Sequence, residues 1–314
     1  MAKEIPRIPV EGFERRGVEV VVDRLIKVYR SGRAEVQALR GVSIRFRPSE
    51  ITCIMGPSGS GKTTLLNMIG GVDRPTAGKV FVDGRNIVEL SDRELEFYRL
   101  TMVGYVFQTF NLIPSITAIE NVELPMALLG VPPKVRRARA RWLLKLVGLE
   151  GMEDRYPDEL SGGEQQRVAI AVALANDPPV IIADEPTAEL DAENARIVMD
   201  ILVKLGREIG KTVIVSTHDP RVAIRADRIV RLVDGTIVGE HTPIDLEQGV
   251  QMPSPSLREI IKTKIAQLER EIEVLSSSFR SGEIDVKSFV NRVSRIYHLI
   301  EALKELGASI GEHV

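Results

Sequence analysis

The spacing of apolar residues changes rhythm several times along the chain, and each change predicts a different element. Val18-Glu-Val-Val-Val22 and Val42-Ser-Ile-Arg-Phe46 carry the near-alternation of strands with one face on a core, and together they read as antiparallel strands. Val180-Ile-Ile-Ala183 and Val213-Ile-Val-Ser216 are short β-branched runs of the kind buried on both faces in a parallel sheet. Ile51-Thr-Cys-Ile-Met55 and Val103-Gly-Tyr-Val-Phe107 read as further strands, and Gly78-Lys-Val-Phe-Val-Asp-Gly84 as a strand closed by an Asp-Gly turn. The stretch from about Asn111 to Ala173 is mostly helical. Within it Lys134 to Val147 forms a basic amphipathic helix, with Arg136, Arg137, Arg139 and Arg141 expected on a solvated outer face. The expectation is an α/β core with an antiparallel β flank and a helical insertion.

The two ends differ from this middle. Residues 1–16 are rich in proline and charge and read as an arm. After about Thr242 the composition shifts, and Met252-Pro-Ser-Pro-Ser256 marks a boundary. Beyond it, Ile261, Ile265, Leu268, Ile272, Leu275 and Phe279 fall at alternating steps of four and three, and Phe289, Val293, Ile296, Ile300 and Leu303 repeat the pattern. Gly282 and Asp285 lie between the sets, with Asp285 placed to cap the second helix. The tail is expected to be a helical hairpin whose two stripes face each other, or whose stripes extend onto the main domain or a second copy.

Composition narrows the classes. With 314 residues and 44% hydrophobic content a sizeable core can form. A net charge of −2 gives no basic footprint, so nucleic acid is not an expected partner. The single cysteine, Cys53, rules out a disulfide framework within the chain. Met1-Ala-Lys-Glu-Ile-Pro6 lacks the apolar stretch of a signal peptide, and no run approaches 18 apolar residues, so no direct membrane span is expected.

The candidate chemistry begins at Gly56-Pro57-Ser58-Gly59-Ser60-Gly61-Lys62-Thr63-Thr64, between a strand-like run and an apolar helix start. This fits G-x-x-x-x-G-K-[ST], a loop whose backbone N–H groups curl around phosphates while Lys62 reaches the β- and γ-phosphates. ATP and Mg²⁺ are the implied ligands. Asp184, at the end of an apolar strand, would hold Mg²⁺ together with Thr63, and Glu185 would polarise the attacking water. Gln108 ends one strand, where its amide reaches Mg²⁺ and the lytic water. His218 ends another, where it supports Glu185 and the γ-phosphate. Leu160-Ser161-Gly162-Gly163-Glu164-Gln-Gln-Arg167 opens a helix with a glycine-rich turn, a second anion site. Two phosphate-binding elements with one metal kit point to a head-to-tail dimer, each copy capping the nucleotide of the other.

This ordered set resembles the nucleotide-binding subunit of an ATP-binding-cassette (ABC) system over about residues 18–245. The matching parts are the Walker A loop, the Q-loop at Gln108, the signature Leu160–Glu164, the Walker B strand with Glu185, the D-loop Ala188-Glu-Leu-Asp191 and the switch His218. The resemblance implies a P-loop NTPase (RecA-like) core with an antiparallel β flank and a helical subdomain at about 109–175. The domain division is an arm over 1–17, a cassette over 18–248 and a helical hairpin over 256–310. It further implies that Tyr29 stacks on adenine and that Asp191 joins the nucleotide site.

Val36-Gln-Ala-Leu-Arg-Gly-Val42, Val106-Phe-Gln-Thr-Phe-Asn-Leu-Ile-Pro114 and Thr117-Ala-Ile-Glu-Asn-Val-Glu-Leu-Pro125 narrow the resemblance to the lipoprotein-release, macrolide-efflux and peptide-resistance branch. Such a protein would pair as a homodimer or with another cassette, bind a transmembrane permease subunit at the cytoplasmic face of the membrane, and hydrolyse ATP to drive it. A cell-envelope or cell-division ATPase that transports nothing would carry the same cassette. A soluble DNA-repair relative would usually insert a long coiled coil between Walker motifs, yet Lys62 and Asp184 are only about 120 residues apart. Two departures stand out: Glu164 where the signature usually has Gln, and the charged Glu189 in the D-loop.

Overall fold

The computed structural model describes residues 7–31, 34–247 and 286–309, together with positions 265, 268, 272, 275 and 276. The chain divides into two compact units, Met1–Tyr29 with Gln37–Gln248, and Arg30–Val36 with Gly249–Val314.

The first unit is built on two sheets. The smaller contains β1 (Val20–Ser31), β2 (Ala34–Phe46), β4 (Ala77–Val82) and β5 (Arg85–Asn86) in the order β2-β1-β4-β5. β1 runs antiparallel to β4, with Val20 opposite Val82 and Val22 opposite Val80, all four buried. The register then shifts between Asp23 and Ile26, where Arg24 takes φ 47°. The sequence explains the bulge: the inward residues change phase from Val20 and Val22 to Leu25, and one extra residue is the least disruptive way to keep all three in the core.

The larger sheet contains β3 (Ile51–Met55), β6 (Val103–Val106), β7 (Val180–Asp184), β8 (Thr212–Thr217), β9 (Arg228–Val233) and β10 (Thr236–His241), in the order β10-β9-β3-β8-β7-β6. Only the β9–β10 pair is antiparallel. Its turn at Asp234-Gly235 has positive φ at both residues, the conformation that an Asp-Gly pair favours in a tight hairpin. Because β3, β8, β7 and β6 are parallel, their carboxyl ends share one edge. Met55 pairs with Thr217, Asp184 with Ser216, and Val106 with Ala183. The strand order therefore lines up the residues that follow those ends, which is where α/β sheets bind ligands.

Helix α1 (Lys62–Ile69) buries Leu65, Leu66, Met68 and Ile69 in one cluster with residues from both sheets, including Val20, Phe46, Ile54, Ile182 and Ile214. Each such side chain contributes about 1.5–3 kcal/mol. The sheet order continues through α2 (Asp92–Thr101) into β6. A helical group follows: α3 (Ala118–Leu128) packs on α4 (Pro133–Leu146) and on α5 (Gly162–Leu174), and α5 also packs on β6. α6 (Ala192–Arg207) covers β8 and β3.

Two sequence expectations need correction here. The basic face of α4 is not a solvated row: Arg139 is completely buried, Arg136 and Arg137 pair with Glu123, and only Arg141 is exposed. Residues 7–17 are not a free arm either. Phe13 stacks edge-on against Trp142 and lies under the Arg139 guanidinium, while Gly12 O accepts from Arg139 Nη1 at 2.6 Å. The Glu14 and Arg15 N–H groups donate to Asp177 Oδ2, and Lys211, also fully buried, donates to Asp177 Oδ1 at 2.5 Å and to Arg15 O at 2.6 Å. Burial pulls the Lys211 ammonium below its ordinary range, and Asp177 opposes that shift. Burial likewise lowers Arg139 to about 10. The backbone polar groups of the segment thus satisfy interior charges, which its composition alone did not reveal.

In the second unit, Leu268 and Leu275 pack against Ile296 and Ile300 of the helix Val286–Ser309, flanked by Ile265, Ile272, Phe289, Val293 and Leu303. The two heptad stripes therefore meet. Ile261, Phe279, Gly282, Asp285 and the Met252–Ser256 boundary lie outside the described residues, as do residues 1–6 of the arm.

Asp177 is the carboxylate that receives the buried Lys211 ammonium together with the Glu14 and Arg15 N–H groups. Asp177→Ala should destabilise the fold by about 3–5 kcal/mol, on the order of 10 °C in Tm for a domain of this size. Thermal unfolding followed by circular dichroism checks this; a shift of only about 1 °C would show that the strap is incidental.

Candidate functional site

The loop after β3 is shaped by its backbone. Gly61 takes φ 101°, and a Cβ there would lie 2.5 Å from Ala38 O, so a side chain is excluded on two grounds. Ser58 and Gly59 are exposed at the loop tip, and Ser60 is buried beneath it. Lys62, only 6% exposed, folds back along the loop: its ammonium donates to Gly56 O at 2.8 Å and Pro57 O at 3.1 Å, and sits 3.3 Å from Glu185 Oε1. Thr63 is exposed in the first turn of α1 and Thr64 is half-buried beside it.

The carboxylates sit across the edge from this lysine. Asp184 is the last residue of β7, buried, with Oδ1 accepting from Ser216 Oγ at 2.6 Å. Glu185 turns out of the strand with φ 46°. Its Oε2 lies 3.0 Å from His218 Nδ1, on an imidazole that is itself exposed. β8 extends to Thr217, one residue further than the sequence suggested, so His218 follows the strand directly. β6 in turn stops at Val106, one residue short, and Gln108 is exposed in the turn beyond it, two residues before Phe110 and Asn111, both at φ 56°. The strand edge thus brings together Lys62, Asp184, Glu185 and His218.

Tyr29 is 40% exposed, with its hydroxyl bonded to Asp73 Oδ2 at 3.1 Å and within reach of Thr64. The Lys27 ammonium lies 4.7 Å from its ring centroid. One ring face therefore carries a cation, and a stacked base would use the other.

The glycine-rich turn forms a second cluster. Ser161 caps α5, and Glu164 closes a capping box by accepting from Ser161 N at 2.8 Å and Ser161 Oγ at 2.7 Å. These bonds from Ser161 hold the Glu164 carboxyl below its ordinary range. That accounts for the departure at this position: a carboxylate serves the cap as an amide would. Asp191 caps α6 through Asn194 N at 2.8 Å, and Asn194 Oδ1 accepts from Arg167 Nη1, tying the D-loop to the signature helix. Among the described residues, no hydrogen bond or ion pair joins this cluster to the Lys62 cluster.

The parallel sheet, the phosphate-binding loop at its edge and the carboxylates opposite define the class as a P-loop nucleotide hydrolase. Comparison with known proteins gives the family. The ABC transporter family matches residues 39–188. An uncharacterized ABC transporter ATP-binding protein of Thermotoga maritima is 50% identical over 213 residues, covering 68% of this chain and 91% of that protein. The macrolide export ATP-binding/permease protein MacB of Syntrophobacter fumaroxidans is 46% identical over 291 residues, covering 91% of this chain and 39% of that protein. A dimeric post-hydrolysis structure of the cassette MJ0796 bound to ADP and Pi superposes with a TM-score of 0.67 at 46% identity, covering 71% of this chain and 98% of that one. This chain belongs to the ABC transporter ATP-binding family, and it binds and hydrolyses ATP.

The two signature glycines serve different needs. A Cβ on Gly163 would lie 2.1 Å from Asn194 Oδ1, whereas one on Gly162 would meet nothing closer than 3.6 Å. Gly163→Ala should therefore lower Tm by several degrees by forcing α5 and α6 apart, while Gly162→Ala should fold as stably as the parent, since alanine favours a helix by about 1 kcal/mol. Calorimetric melting of both variants checks the contrast; equal losses would contradict it.

Proposed function

We propose that the chain is the energy-supplying subunit of a membrane efflux, release or mechanotransmission complex, acting as a head-to-tail pair of cassettes at the cytoplasmic face of the membrane. The observation that carries this is the separation of two phosphate-binding elements on one chain: the loop around Lys62, and the Ser161–Gly163 turn, which has no bond to it. A second copy supplies what the first lacks, Ser161, Gly162 and Gly163 of one facing the γ-phosphate held by the other. The dimeric state of the MJ0796 cassette supports the pairing. The fused ATP-binding/permease relative supports a permease partner, and its match runs past the cassette into the tail. Among the described residues no helix is long and apolar enough to cross a membrane. The working division is a cassette over 18–248 and a hairpin over 256–310.

Mg²⁺ fits the donors present. Thr63 and Gln108 offer neutral oxygens and Asp184 a carboxylate whose Oδ2 has no protein hydrogen bond among the described residues, a hard-oxygen set suited to an ion that takes its remaining ligands from phosphates and water. When bound, the ion neutralises charge on the β- and γ-phosphates. The chain's own residues do the rest. Lys62 exchanges its loop carbonyls and Glu185 for phosphate oxygens, which strengthen a buried cation's bonds. Released from Lys62, Glu185 accepts a proton from the attacking water while His218 holds its other oxygen. Tyr29 stacks on the base, and Asp191 orders the D-loop at the seam.

Glu185→Gln should lower turnover by on the order of 10²–10⁴-fold and leave ATP binding intact, so that Mg-ATP drives the variant from monomer to dimer in gel filtration. Near-normal hydrolysis would remove Glu185 from the chemistry, and a monomer at saturating ATP would refute the pairing.

A further inference from the structure

Asp184 and Glu185 are adjacent in sequence but face different tasks, one held in a strand and one turned out of it. Ser216 touches both. It is fully buried in β8, opposite Asp184 in the parallel register. Its hydroxyl donates to Asp184 Oδ1 at 2.6 Å and accepts from the Glu185 N–H at 3.0 Å, and its carbonyl lies 3.2 Å from the same N–H. Glu185 adopts φ 46°, a left-handed conformation that costs a non-glycine residue energy and persists only where its surroundings enforce it.

The preceding residues of the strand, Val213, Ile214 and Val215, are apolar and buried. A hydroxyl in that setting must find partners, and both partners of this one belong to the site. A serine's single hydrogen can serve only one acceptor; here it serves Oδ1, which fixes the plane of the Asp184 carboxylate.

We infer that Ser216 is a positioning residue for ATP hydrolysis, holding Asp184 oriented for Mg²⁺ and clamping the turned-out peptide that aims Glu185. The inference rests on the reading that Asp184 holds the metal. With alanine at 216, Oδ1 has no donor and the Glu185 N–H keeps only the longer bond to the carbonyl. The carboxylate then rotates, and the gain in ATP affinity that Mg²⁺ confers is reduced.

The test is calorimetric titration of ATP into full-length Glu185→Gln protein, which prevents turnover, once with Mg²⁺ and once with EDTA. The quantity read is the ratio of the two Kd values. Adding Ser216→Ala should cut that ratio on the order of tenfold, with the EDTA Kd unchanged. Adding Ser216→Thr, which keeps the hydroxyl, should restore it, and this rescue decides the matter if the alanine variant also melts earlier. Adding Asp184→Asn is the reference and should abolish the ratio. If Asp184→Asn abolishes the ratio and Ser216→Ala leaves it intact, or Ser216→Thr fails to restore it while folding normally, the positioning role is overturned. If Asp184→Asn itself leaves the ratio unchanged, the metal reading fails and this inference fails with it.

Discussion

A buried ammonium must have an anion or several dipoles within reach, and Lys62 is where that constraint governs the molecule. Only 6% exposed, it is held by two loop carbonyls and by Glu185 at 3.3 Å. An isolated charge there would cost several kcal/mol. The same requirement makes the position receptive to phosphate, which offers more acceptors and more charge. Glu185 is held on both oxygens, by Lys62 on Oε1 and by His218 on Oε2. In the proposed reaction, binding and the readiness of the base are coupled through this one side chain.

The scaffold holds this arrangement by topology. Four parallel strands end on one edge in the order that sets the phosphate loop beside His218, then the carboxylates, then Gln108. Helix α1 carries the lysine into a core shared by both sheets, so the loop is anchored from below by Leu65, Leu66 and Ile69. The strap of residues 7–17 reaches from Arg139 of the helical group to Asp177 and Lys211 beside the parallel sheet. It closes an interior charge cluster that the cassette would otherwise leave open.

Much of the site was legible in the sequence because phosphate chemistry demands contiguous residues. A loop that curls around phosphate needs its glycines and lysine within nine positions, and a turn that caps a helix needs Ser161 three before Glu164. What long-range packing decides was not legible. Arg139 looks like the other arginines of α4 until Phe13 and Trp142 are placed around it. Ser216 looks like a strand residue until Asp184 lies opposite; a hydroxyl in a buried β-branched run just before His218 was the available signal. Strand ends shifted by one residue at Val106 and Thr217 because ladder pairing, of Val106 with Ala183 in β7 and of Thr217 with Met55 in β3, rather than local propensity sets them.

The central claim is that each catalytic site is assembled from two copies. The most direct measurement mixes two separately inactive proteins, Lys62→Ala, which spoils the phosphate loop, and Ser161→Arg, which spoils the capping turn. A mixed pair contains one site with an intact loop from one copy and an intact turn from the other. The account requires the mixture to regain ATP-dependent pairing and measurable hydrolysis that neither protein shows alone. A mixture as inert as its components at every ratio would contradict it.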